Sequence, residues 1–279
     1  MRETTLPYRL NRPIGIFDSG VGGLTVLKAL REKLPGRDFI YFSDTARVPY
    51  GRKPREMVRG FAYEIAAFLL QQDVAAIVVA CNTASAAALH FLRGVFPAVP
   101  FIGMEPAIKP AAETTRSGVV GVLATPATFQ GSLYASVVER FAQGVTILQD
   151  TCPGLVAEIE RGCLSGLETH AILEHALLPM LAQGIDTVVM GCTHYPFVIP
   201  LIAEIAGPGV RVIDPAPAVA RQTGRLLAQH GWLAKGSDLG PARFITSGDP
   251  QKFTELLPLL LGETAKAEKA VWTDGRIVV

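Results

Sequence analysis

Charge of one sign is what this sequence most plainly lacks. Only 18% of its 279 residues are charged, and 26 Lys and Arg face 25 Asp and Glu. With no broad basic field, a general nucleic-acid binder is disfavoured. Long hydrophobic runs are missing too: none reaches the ~18 residues that cross a bilayer, so no membrane segment is expected. The opening MRETTLPYRLNRP has no apolar stretch of the signal-peptide kind and reads as a short, loosely held lead-in. Cysteine is sparse. Cys81, Cys152, Cys163 and Cys192 include no CxxC pair, and the histidines include no HxxxH, so the usual zinc spacings are absent. Without an export signal the thiols are expected free, in a reducing cytoplasm. Phosphate-cradling loops are missing as well. Gly20, Gly22 and Gly23 of DSGVGG fit neither GxxxxGK[ST] nor GxGxxG, and Asp18 would repel phosphate.

What is present is a packed α/β pattern. Hydrophobic residues make up 49% of the chain, ample for a large core. Apolar runs at IGIF, FIYF, AIVVA, PFIG, VVGVLA, VTIL, TVVM, RVI and RFIT alternate with amphipathic helical stretches. Continuous apolar strands suit parallel sheets covered on both faces. The rhythm restarts near residue 105, which predicts two open α/β domains with mainly parallel sheets. Ligands of such sheets bind beyond the carboxyl ends of strands. Asp18, Ser19, Ser43, Asp44, Cys81, Asn82, Cys192, Thr193 and His194 all fall at such ends, which predicts a site in the cleft between the domains.

Each motif has a plain structural reading beside its chemical one. Asp18 and Ser19 suit a helix cap, or a carboxylate that orients a neighbouring base. Tyr50 and Gly51, in SDTARVPYG, suit an ordinary proline–glycine turn, or a loop over a cleft. Cys81, in ACNTAS, suits a small buried hydrophobe, or a thiol whose pKa a helix N-terminus lowers; Asn82 and Thr83 add hydrogen-bond donors. GCTH repeats the pattern with Cys192 and places His194 two residues on, within reach of sharing the thiol proton. Glu158 and Glu160 sit in a helical stretch and suit a solvated face. Cys152 and Cys163 belong to no polar constellation and read as packing residues. Two matched thiols at two strand ends fit a symmetric reaction. One thiolate takes a proton from one face of a chiral carbon and the other thiol delivers a proton to the opposite face, each acting as base in one direction and acid in the other.

GIFDSGVGGLTV, DTARVPYG, VVACNTASA and GCTHYPF together resemble the glutamate racemase family. The resemblance spans Asp18 to Phe197 in motifs and the whole chain in length. It implies cofactor-independent interconversion of L- and D-glutamate in the cytoplasm, supplying peptidoglycan synthesis. It implies no cofactor and no metal, a small-molecule partner in glutamate, and a family that admits homodimers. It also implies a discontinuous first domain, 1–105 plus 216–279, around a second domain at 106–215. Carried over by position, Cys81 and Cys192 match the catalytic acid/bases, the earlier acting on D-glutamate and the later on L-glutamate. Asp18 and His194 match their helpers, as does Glu160, although CPGLVAEIE departs from the usual form and Glu158 lies nearby. Asp18, Ser19, Tyr50, Gly51, Asn82, Thr83, Thr193 and His194 match substrate-binding positions. Rival readings are an aspartate or hydantoin racemase of the same superfamily, a non-catalytic protein that binds an acidic amino acid, and a thiol-redox protein.

Overall fold

The computed structural model describes residues 12–233, 236 and 238–279; the expected N-terminal lead-in lies outside them up to residue 11. The described strands, in chain order, are β1 (Ile14–Asp18), β2 (Phe39–Ser43), β3 (Ala76–Val79), β4 (Phe101–Gly103), β5 (Val119–Ala124), β6 (Thr146–Asp150), β7 (Thr187–Gly191), β8 (Arg211–Ile213), β9 (Ala242–Thr246), β10 (Ala267–Lys269), β11 (Val271–Thr273) and β12 (Arg276–Val278). One sheet has the order β10-β9-β2-β1-β3-β4 and a second has β6-β5-β7-β8. Every neighbouring pair in both sheets is parallel. β11 and β12 form a separate antiparallel hairpin.

All residues of β1, β2, β3 and β7 are buried, which requires helices on both faces of each sheet. Side chains alternate between those faces. Ile14, Ile16, Phe39, Tyr41, Ala76 and Val78 share one core with the helices Leu24–Lys33 and Ala216–Gln229. Phe17, Ile40, Phe42, Ile77 and Val79 pack on the opposite side against Arg55–Gln71 and Asn82–Val95. In the second sheet Leu123, Val188 and Met190 join the first of these cores, together with the helix Leu167–Ala182. Val120, Val122, Ala124 and Val189 face the helices Ile108–Thr114 and Ser132–Phe141. One apolar core therefore runs without a break from one sheet to the other, and it fixes how their edges meet.

The chain leaves the first sheet after β4, builds the second, and returns through Ala216–Gln229, which packs on Leu24–Lys33. β9 then pairs with β2, and β10 with β9. The apolar-run reading does not reach β10, β11 or β12. Each has three residues, most of them exposed or half-buried, so no buried run marks them.

Candidate active site

The carboxyl edges of the two sheets meet around a tightly closed cavity of about 20 Å³, room for about one water molecule. Ser19, Cys81, Asn82 and Thr83 enter it from the ends of β1 and β3, and Pro49 and Gly51 from the loop after β2. Thr125, Val156, Cys192, Thr193 and His194 enter from the second sheet. A larger surface cleft of about 240 Å³, beside Lys53 and Arg55, has no thiol in its walls.

Cys81 caps the helix Asn82–Val95. Its backbone is extended, and its sulfur accepts the Ala84 N–H at 3.4 Å. Its S–H donates to Ser19 Oγ at 3.8 Å, and Ser19 Oγ donates in turn to Asp18 Oδ1 at 3.3 Å. The helix end is not the largest influence on this thiol's pKa. Burial pushes it well up and the Asp18 carboxylate adds to the rise, while the Ala84 N–H opposes them. Losing water penalises a thiolate more than one backbone N–H stabilises it. Asp18 is fully buried and stands behind Ser19. It accepts the Ser19 and Gly23 N–H groups, each at 2.6 Å, and the Thr193 hydroxyl at 3.3 Å. Burial raises its pKa, against the positive influence of His194 and the two backbone bonds. It thus serves the turn as a cap would, and touches both halves of the molecule.

Cys192 follows a strand end as Cys81 does, but it caps no helix. It follows β7 into a 3₁₀ turn, Tyr195–Val198, and its sulfur faces His194 Nδ1 at 3.8 Å. His194 Nε2 donates to Glu160 Oε1 at 2.6 Å, and the same oxygen accepts the Val21 N–H at 2.8 Å. Glu158 pairs with Arg161 instead, so Glu160 is the glutamate linked to the thiol. Burial alone would lower the His194 pKa. The bonds to Cys192 and Glu160 outweigh it and hold the ring well above its usual range. An imidazolium donates from both nitrogens, one toward the thiol and one to the carboxylate.

These contacts explain the glycines of DSGVGG. A Cβ at Gly20 would lie 1.8 Å from Glu160 Oε1, and one at Gly22 would lie 2.5 Å from His194 Nδ1. Gly20 and Gly22 are needed because the Cys192 machinery presses against them, and Gly23 because Asp18 and Tyr41 do.

Asn82 lines the cavity, and neither its amide nitrogen nor its amide oxygen, both buried, has a hydrogen-bond partner. Leaving such groups unpaired costs ~1–3 kcal/mol, so the amide is set to meet a polar group that enters. Thr83 Oγ1 and Thr125 Oγ1 are 2.9 Å apart across the two sheets. Tyr50 is buried with its hydroxyl 2.5 Å from Asp44 Oδ2, outside the cavity lining, whereas its neighbour Gly51 lies in it. Thr125, Pro49 and Val156 are absent from the sequence reading. Thr125 directly follows β5, so the strand-end rule that selects Cys81 and Cys192 selects it as well. Cys152 is buried in the core, as a packing residue should be, but Cys163 is exposed. All four cysteines are free, and among the described residues no group of three or more His, Cys, Asp or Glu could hold a metal ion.

A family model of Asp/Glu/hydantoin racemases matches residues 14–223. A glutamate racemase of Roseiflexus sp. is 48% identical over 263 residues, covering 94% of this chain and 97% of its own. The crystal structure of a glutamate racemase isoform from Bacillus anthracis superposes with a TM-score of 0.84 at 32% identity, covering 95% of this chain and 98% of that one. That of the Francisella tularensis glutamate racemase in complex with D-glutamate gives 0.81 at 34% identity, covering 94% and 98%. The chain belongs to the Asp/Glu/hydantoin racemase family, among its glutamate racemases.

Proposed function

We propose that the protein interconverts L- and D-glutamate by proton transfer at Cα between Cys81 and Cys192. The observation that carries this reading is that two thiols from different sheets line one small cavity, each with its own proton-handling partners. The partners differ, and the difference sets a starting state. Burial keeps the Cys81 thiol protonated, while the His194 ring stands 3.8 Å from the Cys192 sulfur, placed to share its proton. With L-glutamate, Cys192 takes the α-proton and Cys81 delivers its own to the opposite face. The enzyme is then left with the negative charge on Cys81 and a neutral thiol at Cys192, ready for the reverse reaction.

The α-proton is weakly acidic, so the developing negative charge must be stabilised by donors fixed in place beforehand. The cavity has no Lys or Arg in its walls. Its donors toward the substrate carboxylates are the unpartnered Asn82 amide and the Thr83 and Thr125 hydroxyls, since the Ser19 and Thr193 hydroxyls already donate to Asp18. Asp18 does not reach the cavity, and its influence passes through Ser19 to Cys81. The use this reading implies is supply of D-glutamate in the cytoplasm.

The test is to follow optical rotation of L-glutamate, L-aspartate and a hydantoin separately, with chelator and no added cofactor. Rotation falling to zero with glutamate alone is the expected result. Decay with aspartate or a hydantoin instead moves the assignment within the family, and no decay with any of them favours a binding protein. Cys81→Ala and Cys192→Ala should each lose racemisation by at least 10³-fold with an unchanged circular dichroism spectrum, within the ~10²–10⁴-fold range of acid–base groups. Full activity in either variant contradicts the two-thiol scheme.

A further inference from the structure

The loop that brings Pro49 and Gly51 to the cavity is held by the far end of the chain. Asp44, at its start, accepts the Tyr50 hydroxyl at 2.5 Å and the Ser247 hydroxyl at 2.6 Å. Thr45 Oγ1 lies 2.6 Å from Thr246 Oγ1, and the Ala46 N–H donates to Ser247 Oγ at 3.0 Å. The next residue, Arg47, is gripped more elaborately. Its guanidinium lies between two rings, 4.1 Å from the centroid of Phe61 and 3.9 Å from that of Trp272. Both terminal nitrogens donate to Glu64 Oε2 at 2.9 Å, and Trp272 Nε1 donates to the same oxygen at 2.8 Å. Phe61 in turn packs on Tyr50, with ring centroids 5.6 Å apart.

Trp272 belongs to β11, and the β11–β12 hairpin is anchored by Ile277, buried in the core beside Arg55–Gln71. On its cavity side the loop has no slack: a Cβ at Gly51 would lie 2.7 Å from Thr125 Cβ. The loop is thus pressed on the second sheet at Gly51 and pinned at Arg47, and neither Arg47 nor Trp272 lines the cavity.

We propose that Arg47, clamped by Trp272 and Glu64, is a positioning residue that fixes the Pro49–Gly51 segment against the substrate, so that the C-terminal hairpin is part of the active-site support. The inference rests on the racemase reading of the cavity. Only a flat, delocalised cation fills a slot between two rings while giving two N–H groups to one oxygen, which lysine cannot do. Misplacement of a substrate-facing segment by ~1 Å costs as much as ~10²-fold in rate.

The experiment compares Arg47→Lys, Trp272→Ala, Trp272→Phe and the Arg47→Lys/Trp272→Ala double variant with the wild type. Glutamate kcat/KM is measured, with D-glutamate affinity by calorimetry as a second readout that does not need turnover. Arg47→Lys and Trp272→Ala should each lower kcat/KM at least about fivefold and weaken binding, while melting within a few degrees of the wild type. Trp272→Phe keeps a ring over the guanidinium and should recover most of the loss. The double variant should be no worse than the poorer single one, because both changes act through one clamp. Variants within twofold of the wild type in both readouts, or losses that add, overturn the proposal. If Arg47→Lys does not fold, the two Trp272 variants decide alone: no loss in the alanine variant, or an equal loss in both, overturns it. A wild type that binds glutamate without racemising it counts against the function proposed above and leaves the calorimetric comparison in force.

Discussion

His194 joins two groups through one ring, the Cys192 sulfur at Nδ1 and the Glu160 carboxylate at Nε2. Replacing it with asparagine removes the imidazolium beside Cys192. Glutamate kcat should then fall ~10²-fold or more. Because the two enantiomers are equal in energy, kcat/KM must fall by the same factor in both directions, and only kcat and KM separately can become asymmetric. Coupled kinetics run from each enantiomer check this. The raised pKa of His194 also makes a stability prediction. A group that binds its proton more tightly when folded stabilises the fold fully below its unfolded pKa of ~6.5, and loses that contribution as pH rises through the folded value. The melting temperature of the wild type should therefore exceed that of His194→Asn most at pH 6, and the gap should narrow as pH rises through the raised folded pKa. A gap that widens with pH would mean the ring is neutral in the folded protein. At this scale the sequence is informative about residue types and not about partners. Cys81, Cys192 and His194 stand out because they break apolar runs. That Glu160 rather than Glu158 meets His194 depends on the angle at which the short helix Leu155–Glu160 approaches β1, which no local pattern encodes.

Among elements, the turn after β1 matters most. Gly20 and Gly22 leave room for Glu160 and His194, and the Val21 N–H between them holds the glutamate. Gly20→Ala should displace Glu160 and cost at least ~10²-fold in kcat, with a stability loss of ~1–3 kcal/mol from overpacking. Activity assays with urea unfolding check both figures, and a fully active, equally stable Gly20→Ala protein would mean that the turn has slack. The apolar runs of β1, β3, β5 and β7 are legible because both faces of each strand are buried. The residues that end β3 and β7 then point to the cavity. The same strand-end rule applies to Thr125, whose single hydroxyl carries no chemical signature in the sequence. β10, β11 and β12 are illegible because they are short, largely exposed and set by pairing rather than by pattern. The cost of missing them is the clamp on Arg47. Gly20 and Gly22 are visible, but their purpose is not, because the atoms they make room for lie more than a hundred residues away.

For the whole molecule, the continuous core between the sheets is what makes the site possible. It sets the carboxyl edge of β3 against that of β7, so a thiol from each enters one small cavity. Two bases on opposite sides of one carbon leave a distinct isotopic trace. The most direct measurement is partial conversion of L-glutamate in D₂O, stopped after a few per cent, with deuterium at Cα analysed in each enantiomer separately. Two monoprotic thiols predict deuterium in nearly all of the D-glutamate formed and almost none in the L-glutamate recovered, because Cys192 returns the proton it took while Cys81 delivers one from solvent. Deuterium entering both enantiomers at equal rates, or D-glutamate that keeps the substrate's own proton, would mean that a single base serves both faces and would contradict the account.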